Sequence, residues 1–197
     1  MNNKPLEYRI KIGYYCFPVN SLGPGNRFVL WTKGCNRSCF RCASPNLQST
    51  TGGVFYSTVE LIELMKQSNC SGLTVSGGEP LIQAQSVFSL LQDVRIFLPE
   101  WDIILFTGFL FDEIDNNIRS KLSTLVDLLI DGPYIDSLND DLGLRGSSNQ
   151  KYYFFTERLQ PFAKELESHP HPRRQLFLLS DEEMISVGIA PPREKYI

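Results

Sequence analysis

Residues 27–42 read Arg-Phe-Val-Leu-Trp-Thr-Lys-Gly-Cys-Asn-Arg-Ser-Cys-Phe-Arg-Cys, a predicted strand that leads directly into a loop with three cysteines. The first six residues are β-branched or aromatic for the most part, which favours a β-strand. The loop then supplies three soft ligands, and thiolates favour zinc, copper(I) and iron–sulfur clusters. A structural zinc site takes four ligands, whereas a four-iron cluster can use three thiolates and leave one iron open. The triplet Cys35, Cys39 and Cys42 therefore points to catalysis at a cluster.

The other cysteines, Cys16 and Cys70, are isolated from each other and from the triplet. Five cysteines, an odd number in 197 residues, do not suggest a disulfide framework. Clustered spacing without a secretory signal instead suggests a metal site in a reducing compartment, so a cytoplasmic location is expected. Either isolated cysteine, or His169 and His171, could complete a zinc site. A zinc-stabilised binding module without catalysis is therefore kept as an alternative.

Length, composition and charge further limit which classes of protein this chain can belong to. A chain of 197 residues that is 42% hydrophobic is large enough for one domain with a proper core. The formal net charge of −3 indicates no nucleic-acid groove. The chain contains no apolar run of about 18 residues, so no membrane-spanning helix is expected.

Apolar runs alternate with amphipathic segments along the chain. Further strands are predicted at 73–75, 103–106 and 125–130, with flanking strands near 8–12 and 151–155. Helices are predicted from the capping box Ser57-Thr58-Val59-Glu60, over 84–98, and from Phe111 through Ile118. Such alternation is typical of a parallel sheet covered by helices.

Polar or glycine-containing segments follow the predicted strands. They are the cysteine loop, Gly77–Pro80, Thr107-Gly108 and Asp131. In parallel α/β folds the carboxyl ends of the strands carry the active site. We therefore expect these segments to converge on one rim of the sheet.

The cysteine spacing, with Phe40 before the last x-Cys, resembles that of the radical S-adenosylmethionine (SAM) enzymes when it is combined with Gly77-Gly78-Glu79-Pro80 at a strand end. The resemblance is strongest to the activating enzymes of glycyl-radical enzymes, particularly the anaerobic ribonucleotide reductase activase group. It covers roughly residues 20–155 and includes Gly23-Pro24-Gly25-Asn26-Arg27, the Thr-Gly-Phe at 107–109, Ile-Asp-Gly-Pro-Tyr at 130–134 and Arg-Gly-Ser-Ser-Asn-Gln at 145–150.

The resemblance implies an α/β fold, an open partial (β/α) barrel of about six parallel strands. The strands are too few for a closed eight-stranded barrel, which takes about 250 residues. Residues 1–155 would form the radical SAM core, and residues 156–197 a C-terminal extension packed on that core.

The implied chemistry depends on the cysteines. Cys35, Cys39 and Cys42 would hold three irons of a single [4Fe-4S] cluster, and the open iron would chelate SAM. Reductive cleavage of SAM would release methionine and a 5′-deoxyadenosyl radical that abstracts a hydrogen atom from the substrate. The protein would supply position and exclude water, and no catalytic residue is expected beyond the cluster and the cofactor.

The resemblance also implies cofactor contacts elsewhere. Gly77 and Gly78 would let the backbone approach the methionine end, and the Glu79 carboxylate or nearby carbonyls would bind its ammonium group. The remaining expected contacts are Phe40 beside the cluster or adenine, Pro80 in the same stretch as Glu79, Thr107 at the ribose or carboxylate, and Asp131 as a polar group near the cofactor.

The function that follows is activation of a glycyl-radical enzyme, such as anaerobic ribonucleotide reductase. The expected partners are that protein substrate and a flavodoxin- or ferredoxin-type electron donor, with no nucleic acid and no membrane. The alternative is a radical SAM enzyme that modifies a peptide or a small molecule.

Overall fold

The computed structural model describes residues 8–168, 174–178 and 184–189. The strands in this part of the chain are β1 (Arg9–Val19), β2 (Arg27–Thr32), β3 (Val54–Ser57), β4 (Gly72–Gly77), β5 (Asp102–Phe106), β6 (Leu128–Asp131), β7 (Lys151–Phe154), β8 (Arg174–Leu178) and β9 (Met184–Gly188). The α-helices are α1 (Thr58–Gln67), α2 (Ala84–Phe97), α3 (Asn116–Leu125) and α4 (Ala163–Ser168). One sheet has the order β3-β1-β2-β4-β5-β6-β7, and β8 and β9 form a separate antiparallel pair.

The central sheet is mixed rather than wholly parallel. Strands β2, β4, β5 and β6 run parallel to one another, whereas β1, β3 and β7 pair antiparallel with their neighbours. Both predicted flanking strands form, but the expected number of about six parallel strands is not reached among the described residues. A parallel neighbour needs a long crossover, usually a helix. Residues 20–26 are too short for one, and the segment between β6 and β7 contains no α-helix.

The helices follow the sequence signals closely, with one exception. Ser57 and Glu60 form the predicted capping box at the start of α1, and α2 begins at Ala84 as its apolar spacing indicates. The helix predicted from Phe111 begins only at Asn116, because Phe111–Glu113 forms a short 3₁₀ turn and Asp115 caps the helix that follows. None of the helices in the described ranges is long and apolar enough to cross a membrane.

Alternate residues of the parallel strands face two different apolar clusters. Phe28 and Leu30 belong to the cluster that packs under α1, α2 and α3, which cover one face of the sheet. Val29 faces the other way, into a second cluster that we call the inner cluster. Its buried members are Cys16, Val19, Leu22, Val29, Ile104, Leu128, Ile130, Leu144, Leu159, Leu166 and Val187. Residues beyond 155 therefore help to cover the face of the sheet that the three long helices leave open.

Arg27 lies at the amino-terminal end of the parallel strands, opposite to the end that carries the cysteine loop. Its side chain is fully buried, and its guanidinium forms a 2.6 Å ion pair with Asp102 and donates to the hydroxyl oxygen of Thr74 at 2.6 Å. Burial lowers the pKa of Arg27, and the neighbouring Asp102 carboxylate opposes that shift. A Cβ on Gly23 or Gly72 would lie 2.6 Å from this side chain. The Gly-Pro-Gly-x-Arg motif is thus a packing element here.

Candidate active site

The three clustered cysteines line one cavity of about 610 Å³ at the carboxyl-terminal edge of the parallel strands. The backbone N–H of Arg37 donates to the sulfur of Cys35 at 3.3 Å, and that of Ser44 donates to the sulfur of Cys42 at 3.4 Å. Such amide donors stabilise thiolate ligands of iron–sulfur clusters and tune their potentials. Two of the three sulfurs therefore already have hydrogen bonds suited to cluster ligands.

The thiol of Cys35 lies within electrostatic range of the rest of the site. Burial raises its pKa, the N–H of Arg37 opposes this, and the charges of Glu79, Cys42 and Cys39 raise it further. Burial, and to a smaller extent these neighbouring charges, thus disfavour the thiolate form of Cys35 in the absence of a cation. Metal coordination deprotonates a thiol outright, so this arrangement is suited to a bound metal group.

The end of β4 holds the cysteine loop in place through backbone contacts. Gly78 N donates to Thr32 O and Glu79 N donates to Gly34 O, both at 2.9 Å. Gly77 has a φ of +129°, a conformation that side chains disfavour. A Cβ on Gly78 would lie 2.8 Å from the carbonyl oxygen of Leu47 and closer still to that of Gly34. The glycine pair therefore lets β4 and the cysteine loop pack backbone to backbone.

Glu79 connects the end of β4 to the end of β5. Its side chain is 1% exposed, and its carboxylate accepts hydrogen bonds from Leu81 N at 2.9 Å, the Thr107 hydroxyl at 2.9 Å and Gly108 N at 2.7 Å. Burial raises the pKa of Glu79, while these three donors and the charge of Arg37 lower it. Glu79 and Thr107 thus fix two rim segments relative to each other as well as lining the cavity.

We expect Glu79→Gln to lower the free energy of unfolding of the cluster-free protein by about 1–3 kcal/mol. Glu79 uses one oxygen for Leu81 and Thr107 and the other for Gly108. A glutamine has only one oxygen, so one buried N–H would face an amide NH₂ group. Urea unfolding measures the change.

Glu60→Gln is the matched control, because Glu60 accepts both of its hydrogen bonds from Ser57 at a single oxygen. A glutamine can keep both, so the loss should be smaller. Equal losses in the two variants would contradict the role given to the second Glu79 oxygen.

The other predicted site residues lie at different distances from the cavity. Gly77, Gly78, Glu79 and Thr107 line it, whereas three residues do not. Pro80 is buried at the start of a 3₁₀ turn, Asp131 accepts hydrogen bonds from Phe111 N and Lys151 N, and Phe40 is 74% exposed in a separate shallow pocket formed with residues 134–137.

Sequence reasoning missed several residues that line the cavity. Arg37 lies between the first two cysteines, and its guanidinium stacks 4.3 Å from the ring centre of Phe109. The cavity is also lined by Trp31, Tyr134 and Gln150, by Arg174 of β8, and by residues 185–189, which lie in β9 and directly after it. Position in the ligand loop was the available signal for Arg37. The β8–β9 pair reaches the cavity through contacts between residues far apart in the sequence, and no local motif predicts such contacts.

The cysteines outside the triplet lie apart from the cavity. Cys16 packs in the inner cluster, and Cys70 packs against the cluster under the helices. His169 and His171, the other candidates for completing a zinc site, lie outside the described residues. In the part of the chain that the structure describes, no three His, Cys, Asp or Glu side chains are grouped as ligands of a single metal ion would be.

The chain is similar to a family of iron–sulfur proteins and to several activating proteins. Residues 21–153 match the family model described as a 4Fe-4S single cluster domain. An anaerobic ribonucleoside-triphosphate reductase-activating protein of Haemophilus influenzae is 34% identical over 141 residues, which cover 68% of this chain and 90% of the relative. The protein of that name from enterobacteria phage T4 is 34% identical over 149 residues, 73% of this chain and 92% of the relative. A pyruvate formate-lyase-activating enzyme of Staphylococcus epidermidis is 31% identical over 80 residues, 37% of this chain and 32% of its own length.

Proposed function

Because the chain belongs to the 4Fe-4S single cluster family of radical SAM activating enzymes, we propose that it activates a glycyl-radical enzyme, most specifically an anaerobic ribonucleotide reductase. The observation that carries this proposal is the cavity itself. Three thiols line it, and neither of the other cysteines does. A four-iron cluster held by these three thiols would keep one iron without a protein thiolate, and that iron would be available to SAM.

The donor set fits the cofactors of the family, a [4Fe-4S] cluster and SAM. Cys35, Cys39 and Cys42 would hold the cluster, and the backbone N–H groups of Arg37 and Ser44 donate hydrogen bonds to two of the three sulfurs. When bound, the cluster and SAM would supply the radical chemistry needed to remove a hydrogen atom from the substrate. The protein's own contribution is to position these groups and to exclude water.

Some of the residues around the cysteine loop would contact SAM, and others hold those residues in position. Gly77, Gly78 and Glu79 line the cavity beside the cysteine loop and are suited to the methionine end of SAM. Three hydrogen bonds already use the Glu79 carboxylate, but a carboxylate has about four acceptor positions. It therefore keeps capacity for the SAM ammonium group. Thr107 supports Glu79, while Pro80 and Asp131 support the backbone on either side.

The Phe40 side chain does not line the cavity, so in this structure it is not placed to contact a cluster there. Its ring is 74% exposed beside the guanidinium of Arg41, 5.2 Å from the ring centre. For Phe40 to contact the adenine or cluster, the loop would have to turn this side chain inward on binding.

The remaining elements of the proposal concern architecture and setting. In this proposal the mixed sheet belongs to an open partial barrel, residues 1–155 belong to the radical SAM core, and residues 156–197 belong to a C-terminal extension, of which Leu159, Leu166 and Val187 pack in the inner cluster. A flavodoxin- or ferredoxin-type protein supplies the electron. The reaction takes place in the cytoplasm, where thiols remain reduced.

The test uses the full chain, reconstituted anaerobically with iron and sulfide. It is incubated with SAM, dithionite and the purified glycyl-radical ribonucleotide reductase encoded in the same genome. Electron paramagnetic resonance of the large subunit should detect a glycyl radical that requires SAM and is absent with Cys39→Ala. Cleavage of SAM without a radical on any co-encoded glycyl-radical enzyme would overturn activation and favour a peptide or small-molecule substrate.

A further inference from the structure

The β8–β9 pair packs against the inner cluster through one of its two faces. Opposite residues in the pair are Gln175 with Val187 and Phe177 with Ile185. Val187 is buried in the inner cluster, and Phe177 and Ile185 pack against it. Leu176, which alternates with these residues, is 64% exposed. The pair therefore docks on the sheet through one face, as the period of two in a strand allows.

Gln175 connects the pair to the turn that follows β1. Its side-chain oxygen accepts from Asn20 N at 2.6 Å and from Ser21 N at 3.2 Å, and its side-chain nitrogen donates to Pro18 O at 3.4 Å. The hydroxyl of the buried Ser21 donates in turn to Val187 O at 3.0 Å. Four hydrogen bonds thus join β8 and β9 to a segment more than 150 residues earlier in the chain.

The same pair lines the cavity that contains the cysteines. Arg174 and residues 185–189 contribute to it together with Cys35, Cys39 and Cys42. Both strands lie beyond residues 21–153, the part of the chain that matches the family model. This side of the cavity is therefore built by residues outside the family's matched core.

We propose that the β8–β9 pair is a wall of the SAM cavity, and that Gln175 is the positioning residue that holds this wall against the Asn20–Ser21 turn. The proposal rests on the proposed function only in taking the cavity as the SAM site. It assigns the C-terminal extension a role in enclosing the cofactor.

Enclosure has a consequence that can be measured without any substrate protein. If β8 and β9 must stay docked for SAM to remain fully enclosed, SAM binding has to favour the docked state, since coupling between two equilibria is reciprocal. Local openings of β8 and β9 that compete with SAM binding become rarer by a factor of 1 + [SAM]/Kd. Hydrogen exchange through these openings should therefore slow by up to about tenfold at a SAM concentration of about ten times its Kd.

Hydrogen exchange of the reconstituted full chain, with and without SAM, provides the test. SAM should slow exchange of the amides in residues 174–178 and 184–188. Without SAM, Gln175→Ala should speed that exchange by about tenfold, the change expected for the loss of one or two net hydrogen bonds. Gln175→Glu retains an oxygen for Asn20 N and Ser21 N but no longer donates to Pro18 O, so its exchange rate should lie between those of the wild type and Gln175→Ala. Leu176→Ala, on the exposed face, should leave exchange and its SAM dependence unchanged.

Two results would overturn the inference. One is a protein whose cluster signal changes with SAM while exchange in β8 and β9 does not. The other is a Gln175→Ala variant with wild-type exchange. Failure of the proposed function looks different, because SAM would then protect β8 and β9 although no glycyl radical forms on the partner. A protein that does not bind SAM at all would overturn both.

Discussion

Gly78→Ala is expected to prevent cluster assembly and to lower the free energy of unfolding by about 3 kcal/mol, the upper part of the range for overpacking. The new methyl group would meet the carbonyl oxygens of Gly34 and Leu47, the latter at 2.8 Å. Both are backbone atoms of the loop that carries the cysteines, so no side-chain rotation can relieve the contact. The hydrogen bonds from Gly78 N to Thr32 O and from Glu79 N to Gly34 O would have to lengthen.

Iron and sulfide content after reconstitution, together with urea unfolding of the cluster-free protein, would measure both effects. Gly108→Ala is the matched control at the next rim segment. Its added carbon would lie 3.3 Å from a Glu79 carboxylate oxygen and 3.5 Å from Arg37 Cδ, so its contacts are longer than those of Gly78 and involve no backbone atom of the cysteine loop. Gly108→Ala should therefore take up a cluster. Normal cluster content in Gly78→Ala would contradict the packing role given to this glycine.

Cys39→Ala is expected to lower cluster content and SAM cleavage by more than about 100-fold, since even residues that support metal ligands cost about 10–100-fold when they are replaced. Only two thiols would remain in the cavity. The measurements are iron content, the visible absorbance of the cluster and the amount of 5′-deoxyadenosine formed with dithionite.

Cys16→Ala and Cys70→Ala serve as controls, because both residues pack in apolar clusters and neither lines the cavity. Each variant should lose some stability through reduced packing and still assemble the cluster. Loss of the cluster in either control would indicate a fourth cysteine ligand and would contradict the claim that one iron lacks a protein thiolate.

Local patterns predicted most of the individual elements. The run of β-branched and aromatic residues at 27–32 coincides with β2, and the Ser57–Glu60 capping box starts α1. Strand direction was predicted less well, because it depends on how far the chain travels between strands rather than on the residues within them. The predicted flanking strands at 8–12 and 151–155 are therefore present but antiparallel.

The convergence of the site was predictable for a similar reason. The cysteine loop, Gly77, Gly78, Glu79 and Thr107 all follow parallel strands, so the fold brings them to one edge. What could not be read from the sequence is which side chains turn into the cavity. Asp131 is the last residue of a parallel strand, but its carboxylate accepts hydrogen bonds from the backbone N–H groups of Phe111 and Lys151. The roles of these residues at the cofactor stay predictions.

The contribution of the C-terminal residues had no local signal at all. The contact of Gln175 with Asn20 and Ser21 joins residues more than 150 positions apart. Each partner is an ordinary polar residue in sequence, and only the folded chain brings them together. The part of the cavity beyond the family's matched core was for this reason the least predictable.

The central claim, an open-iron [4Fe-4S] site held by Cys35, Cys39 and Cys42, is tested most directly by electron paramagnetic resonance of the anaerobically reconstituted and reduced protein, with and without SAM. The account predicts a [4Fe-4S]⁺ signal that changes shape when SAM is added and that is lost in Cys39→Ala. A protein that binds one zinc ion, takes up no cluster and gives no SAM-dependent signal would contradict it, and would give the three cysteines a structural role.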